Sequence, residues 1–409
     1  MTNISNVMGM EMLDSRGNPT VAVRVELSDG SKGVALAPSG ASTGRYEACE
    51  LRDEENERYG GKGVLKAVGF VNSFIREALC GAVPDQREID RILIEHDGTE
   101  NKSHMGANAI LATSLAVARA AAKHLGIPLY RYLGGIYPHT MPIPCMNILN
   151  GGAHASNNLD IQEFMIVPTE TKNFAEAVRY GSEIYHKLGE LLKAKGRSVA
   201  VGDEGGFAPD LKDDREALQF IVEAIEKSGH ADSGVKLALD IAASEWYRDG
   251  KYHLPKQGKT MESEELIDYI DALCHEFPIL SVEDGMGEDD FGGWQALTDR
   301  LNNEILLVGD DLFVTNAERL KKGFALGMAN TILIKPNQIG TLTETLDVIS
   351  LAHRNRYHTM ISHRSGETED TFIADLAVAT GSPYIKTGAP CRSERVAKYN
   401  RLMLIEKDK

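Results

Sequence analysis

VKLALD (235–240), PILSVE (278–283), EILLVGD (304–310), NTILIK (330–335), HTMISH (358–363) and SPYIK (382–386) are the segments that decide the fold. Each is a short apolar run ending in an ionisable residue and followed by a helical pattern. The terminal residues Asp240, Glu283, Asp310, Lys335, His363 and Lys386 lie 43, 27, 25, 28 and 23 residues apart, about one βα unit each. Continuous apolar runs of this kind suit parallel strands buried on both faces, where the polar/apolar alternation of a half-exposed strand is lost. Six units in succession predict an α/β chain with a parallel barrel; a doubly wound sheet is the weaker alternative. Two upstream runs, DIQEFMIVP (160–168) and SVAVGDEGG (198–206), are the candidates to complete eight strands. In a barrel the C-terminal strand ends meet on one face, where active sites form. Stability alone does not account for six ionisable ends, because a partly buried charge is costly unless paired or bound to metal.

Toward the N-terminus the pattern changes. TVAVRVEL (20–27) alternates, and Asp29-Gly30 just after it is a hairpin signal. APSGASTG (37–44) is too rich in Gly and Ser to be anything but a loop, and helical patterns cover 63–79 and 107–125. The stretch GGIYPHTMPIP (134–144), with three prolines and two glycines, sets the expected boundary. It separates a smaller α+β domain over 1–134 from a catalytic barrel over 135–409. Thr315…Glu318 and Thr341…Glu344 have the spacing of capping boxes that start helices after the barrel strands.

Composition narrows the class of function. Hydrophobic residues at 42% and charged residues at 25% are the balance of a globular protein. A net charge of −16 argues against a nucleic-acid or anionic-membrane partner, which would require clustered Lys and Arg. MTNISNVMGM lacks the basic start and apolar core of a secretory signal, and the apolar stretch 107–122 is short, Ala-rich and broken by Arg119. The five cysteines are scattered, odd in number and without a CxxC pair, a pattern that fits reduced thiols in a cytoplasmic protein.

Three strand ends, Asp240, Glu283 and Asp310, offer carboxylate oxygens suited to a hard cation such as Mg²⁺. No HExxH, Cys–His or EF-hand spacing competes for the metal, and the remaining alternative is salt bridging to Lys335, Lys386 and Arg364. Two lysines beside a dication repel one another, which lowers the pKa of the more buried one toward a competent general base. A Schiff-base lysine stays open at this point. His363-Arg364-Ser365-Gly366 adds an Arg fork suited to phosphate or carboxylate, and GDEGG holds Glu204 in a Gly-flanked loop. APSGASTG lacks the GxxxxGK[ST] pattern of a P-loop.

Read together, LDSRGNPT, PSGASTG, GANAILATSLA, MNILNGGAHASNN, DIQEFMIVP, VGDEGG, LALDIAASE, SVEDG, GDDLFVTN, ILIKPNQIGTLTET, ISHRSGETED and IKTGAPCRSERVAKYNRL resemble the enolases, of the bacterial type, over nearly the whole chain. The resemblance implies a ββαα(βα)6 barrel with a small α+β domain, and reversible dehydration of 2-phosphoglycerate to phosphoenolpyruvate, a step of glycolysis and gluconeogenesis. It implies Asp240, Glu283 and Asp310 as ligands of a tightly held Mg²⁺. Ser42, in the mobile loop 37–44, is implied as a ligand of a second Mg²⁺ that arrives with substrate. Lys335 is implied as the base at C2 and Glu204 as the acid at C3. His154, Gln162, Glu163, His363, Arg364, Ser365 and Lys386 are implied as substrate contacts. A cytoplasmic homodimer, or an octameric ring of dimers, goes with the same resemblance. The closest rival is another enolase-superfamily dehydratase or racemase. Those commonly carry Lys-x-Lys at an early barrel strand, whereas the pair here, Lys193-Ala194-Lys195, falls at the polar end of a helical segment. Ser156 stands where Asp is more usual, and Pro336 follows the expected base.

Overall fold

The stretch that alternates in sequence forms β2 (Pro19–Leu27), flanked by β1 (Ile4–Leu13) and β3 (Lys32–Leu36) in an antiparallel three-stranded sheet. The predicted turn joins β2 to β3, with Asp29 Oδ1 accepting from the Ser31 N–H and Gly30 at φ +86°. The computed structural model describes residues 2–40, 44–54, 57–136 and 140–409. Helices follow the sheet: α1 (Leu65–Phe70) and α2 (Arg76–Leu79), joined by a π-helical turn over Val71–Ile75, then α3 (Gln86–Asp97), α4 (Ala107–His124) and α5 (Leu129–Gly134). The Ala-rich α4 is buried along almost its whole length, packed on β2 and β3. Gly33 permits that approach, because a Cβ there would stand 2.1 Å from the Ala116 carbonyl oxygen. Among the described residues no helix is long and apolar enough to cross a membrane.

The larger unit runs β4 (Ile143–Asn150), β5 (Glu163–Pro168), α6 (Phe174–Ala194), α7 (Asp214–Lys227) and β6 (Val235–Asp240). A small hairpin sheet follows, of β7 (Tyr247–Arg248), β8 (Lys251–Leu254) and β9 (Lys259–Met261). The chain then alternates through α8 (Ser263–Glu276), β10 (Ile279–Glu283), α9 (Phe291–Leu301), β11 (Leu306–Gly309), α10 (Ala317–Leu326) and β12 (Thr331–Ile334). It ends with the single turn α11 (Pro336–Ile339), α12 (Leu342–Arg354), β13 (His358–Ser362), α13 (Phe372–Thr380), β14 (Tyr384–Lys386) and α14 (Ser393–Asp408). The strands close a barrel in the order β4-β5-β6-β10-β11-β12-β13-β14, which rules out the doubly wound sheet. All neighbours are parallel except β5, which runs against both β4 and β6, giving the ββαα(βα)6 arrangement. Cys145, Met165, Val167, Ala238, Val308, Leu333 and Met360 form a separate buried cluster contributed by the strands, the apolar filling of the barrel.

Two expectations fail. SVAVGDEGG is not a barrel strand: Val199 and Val201 are 42% and 39% exposed, and the eighth strand is IPCMNILN, β4. The Thr315…Glu318 capping box does not form; Asn316 caps α10 by accepting from Glu318 N and Arg319 N, while the Thr315 hydroxyl turns inward. Thr341 does cap α12, accepting from Glu344 N. All five cysteines are free, and burial pushes the Cys145 and Cys274 thiols up to about 12, so both are inert fillers. Sheet and barrel meet where Ser39 and Gly366 exchange both backbone hydrogen bonds (2.8 and 2.9 Å), and where Arg119 pairs with Asp370.

Candidate active site

Strand register brings the six ends to one level. Glu283 stands beside Asp240, Val308 beside Glu283, and Lys386 beside both Ser362 and Cys145. The reversed direction of β5 has a direct consequence: its first residue, not its last, opens on this face. Glu163 therefore pairs with Asp240 on one side and Asn150 on the other, and Gln162 N donates to the Asp240 carbonyl at 3.0 Å.

The two lysines reach into the carboxylates. Lys386 Nζ donates to Asp240 Oδ2 at 2.9 Å and to both Glu283 oxygens at 2.8 and 2.9 Å, and lies 3.3 Å from Glu163 Oε1. Lys335 Nζ donates to Asp310 Oδ2 at 2.5 Å. Burial disfavours both ammonium charges, but the facing carboxylates outweigh it, and both lysines are raised, Lys386 well above its usual range. Among the protein's own charges mutual repulsion is the smaller effect, because each ammonium has its own carboxylate. Burial opposes ionisation of Asp310 too, yet the Lys335 ammonium holds it below the ordinary range.

Opposite Lys335 in the ring lies a second group. His154, Glu163 and Glu204 each offer an atom within 4.8 Å of the others. Arg395, fully buried, donates to His363 Nδ1 at 2.6 Å. Since a guanidinium only donates, Nδ1 is the acceptor and Nε2 carries the proton, 3.4 Å from Glu204 Oε2. Burial, with the Arg395 charge beside it, pushes His363 down to about 3. Burial likewise raises Glu163 well above the carboxylate range, reinforced by the charge on Glu204. Burial works against Glu204 as well, but the His363 and His154 rings and Arg395 hold it well below that range, and Asn147 Nδ2 donates to it at 3.0 Å. Of the pair, Glu163 is the carboxyl pushed up and Glu204 the one held down.

Arg364, buried, takes Glu47 in a fork, Nη1 to Oε2 at 2.7 Å and Nη2 to Oε1 at 3.2 Å. Ser365 is buried beside it, its carbonyl accepting from Arg395 at 2.7 Å. Ser42, and the segment 41–43 with it, lies outside the described residues. Every other expected site residue opens on this one face. Glu47, Asn147, Gln338 and Arg395 were not expected, because they come from the N-terminal segment, a strand interior, a one-turn helix and α14. The Lys193–Lys195 pair of the rival reading is exposed at the end of α6, and Ser156 is exposed.

The carboxylate oxygens of Asp240, Glu283 and Asp310 are donors of the type a hard dication takes. Among the described residues, the groups whose atoms stand within 4.8 Å of one another are His154, Glu163 and Glu204, and Asp284, Asp310 and Asp311. Asp240, Glu283, Glu163 and Glu204 are all at most 4% exposed. Burial holds Glu283 and Glu163 well above the usual range, Glu283 further raised by Asp240 and Glu163 by Glu204. Burial and carboxylate neighbours do the same to Asp284 and Asp311. Carboxylates outnumber the cations that face them, so further positive charge would relieve the repulsion. Glu163 Oε2 and Gln162 Oε1 are buried with no hydrogen-bond partner among the described residues. Asp284 is better explained structurally, since it accepts from the Asp310 and Asp311 N–H groups at 2.9 and 2.8 Å and sets the turn after β11.

Comparison with known families gives two matches, "Enolase, N-terminal domain" over residues 4–133 and "Enolase, C-terminal TIM barrel domain" over residues 138–409. With both domains matched in order and the ββαα(βα)6 barrel closed, the chain belongs to the enolase family.

Proposed function

We propose that the protein catalyses reversible loss of water from 2-phosphoglycerate to give phosphoenolpyruvate, the enolase reaction of glycolysis and gluconeogenesis. One observation carries the reading. Lys335, after β12, and the Glu163–Glu204 pair, beside β5, face each other across the barrel mouth, four strands apart in a ring of eight. The three metal-type carboxylates sit on the strands between them. A base on one side and an acid pair on the other is what an elimination needs.

In this account Lys335 Nζ, once it has lost its own proton, takes the proton from C2, and the electron pair becomes the C2=C3 double bond. The C3–O bond breaks, and the departing hydroxyl leaves as water with the proton held by the Glu163–Glu204 pair. Glu204 delivers that proton, with Glu163 beside it, one atom of each within 4.8 Å of the other. Arg364 and Lys386 provide positive charge for a phosphorylated carboxylate, and Ser365 a neutral hydroxyl; His363, kept neutral, donates through Nε2 without adding charge; His154 and Gln162 line the same mouth. Asp240, Glu283 and Asp310 would hold one Mg²⁺, and Ser42 would contribute to a second that comes with substrate. Bound Mg²⁺ supplies Lewis-acid stabilisation of the extra charge on the substrate carboxylate; a Lys or His base paired with Mg²⁺ is the arrangement known for this superfamily.

The reading includes a cytoplasmic location and a homodimer or octameric ring of dimers; the exposed apolar side chains of Met12, Leu13, Val199 and Val201 support an assembly. Light scattering separates the two assemblies. The function is tested by steady-state assay with 2-phosphoglycerate and Mg²⁺, following the conjugated product by ultraviolet absorbance. Turnover is expected, and its absence with an active sugar-acid dehydratase or racemase assay instead would favour the rival.

A further inference from the structure

Two consecutive β-branched residues, Val314 and Thr315, have φ of +41° and +53°. Left-handed backbone is costly for such side chains and persists only where the surroundings impose it. The strain has a visible result: the fully buried Thr315 hydroxyl is turned into the barrel mouth. It accepts from the Lys335 N–H at 2.9 Å and donates to Gln338 Oε1 at 2.7 Å. Gln338 is itself 1% exposed, on the one-turn helix that Pro336 starts directly after Lys335. Its Nε2 donates to Asp310 Oδ1 at 2.8 Å, and lies 3.4 Å from Glu47 Oε1, the partner of Arg364. Thr315 and Gln338 thus join the backbone of Lys335 to the carboxylate of Asp310. Asp310 Oδ2 in turn receives the Lys335 ammonium, so the two residues close a ring around the lysine.

We infer that Thr315 and Gln338 are positioning residues: Thr315 fixes the place from which Lys335 acts, and Gln338 orients Asp310 toward the cation it would hold. Neither touches a reacting atom, and neither carries charge, so they set geometry without altering the charge balance of the mouth. The part played by Lys335 rests on the proposed reaction; the part played by Asp310 rests on the donor geometry and needs only the cation. An outward-facing cap role for Thr315, as its sequence spacing predicted, would have left this ring open.

The test uses the full chain with Thr315→Val, which keeps shape but removes the hydroxyl, Thr315→Ser, which restores it, and Gln338→Leu. Calorimetric titration with Mg²⁺ alone is expected to show roughly tenfold weaker binding for Gln338→Leu, the usual effect of removing a residue that orients a metal ligand. Thr315→Val is expected to lower kcat and C2 proton exchange together by roughly tenfold or more, with KM within about twofold, and Thr315→Ser to recover most of the loss. Mg²⁺ affinity unchanged in Gln338→Leu, or Thr315→Ser no better than Thr315→Val, overturns the inference, whatever either does to the melting temperature. If the unaltered protein does not turn over 2-phosphoglycerate, the proposed function falls separately, and the Mg²⁺ titration of Gln338→Leu still decides this one.

Discussion

Replacing Lys386 with methionine removes the ammonium that Asp240, Glu283 and Glu163 share. The side chain is 2% exposed, and its four N···O distances run from 2.8 to 3.3 Å. Taking one partner out of a buried ion pair costs about 3–5 kcal/mol, because the remaining charge has neither water nor counter-ion. Unfolding entropy is about 2.1 cal/mol/K per residue, and over 409 residues the melting temperature should fall by about 3–6 °C in a chelator. The sign of the pH dependence follows from the raised carboxylates. Burial, with Asp240, already pushes Glu283 up, and the lysine pulls it down; without the lysine it rises further. A carboxyl raised in the folded state binds protons that the unfolded chain releases, so its contribution is full below about pH 4.3 and is lost as pH rises through the folded value. The deficit of Lys386→Met should therefore shrink at pH 5 and widen at pH 8, and added Mg²⁺ should stabilise the variant more than the parent. Calorimetric melts in EDTA and in Mg²⁺ at both pH values check this. Equal melting in EDTA, or a deficit that grows on acidification, would refute the reasoning.

Other consequences are as specific. Glu204→Gln should cut dehydration by about 10²–10⁴-fold, the usual worth of a placed acid, while exchange of the C2 proton stays measurable by NMR; parallel loss of both would remove Glu204 from the C3 step. The His363 imidazole should stay neutral with its proton on Nε2 from pH 8 down to pH 5 in ¹⁵N spectra, and a midpoint near 6.5 would contradict the burial argument. Because that depressed pKa makes the unfolded chain the stronger proton binder, His363→Gln should lose less stability than the parent between pH 6.5 and pH 5. Arg395→Met strands His363 Nδ1 and the Arg364, Ser365 and Asp203 carbonyls, so it should destabilise by several kcal/mol, at about 1–3 for each buried unpaired group, seen in denaturant titration.

Much of the fold was legible because parallel barrel strands are buried on both faces, which leaves runs such as NTILIK with no alternation and one ionisable end. Direction is not written in such a run. DIQEFMIVP was recognisable as a strand, but nothing local says that β5 runs backwards, and it is this reversal that brings Gln162 and Glu163, not Val167, to the mouth. SVAVGDEGG misled for the opposite reason: its Val-Ala-Val looks like a strand, yet no neighbour is free to pair with it outside the closed ring, apart from the isolated Val201–Phe207 bridge. The strand-end residues of the site could be found from spacing alone. Arg395, Glu47 and Asn147 could not, since each reaches the site only through tertiary packing. Thr315 shows a local rule being overridden: its spacing to Glu318 is right for a cap, but the left-handed turn after Asp310 commits its hydroxyl to Lys335 and leaves the cap to Asn316.

The central claim is that Lys335 removes the C2 proton, and the most direct measurement is exchange of that proton in D₂O with 2-phosphoglycerate and Mg²⁺, followed by NMR for the parent and for Lys335→Ala. Equal melting temperatures in Mg²⁺ would establish that both chains are folded. The account predicts exchange in the parent and none above background in Lys335→Ala; exchange at a near-parental rate in the variant would contradict it.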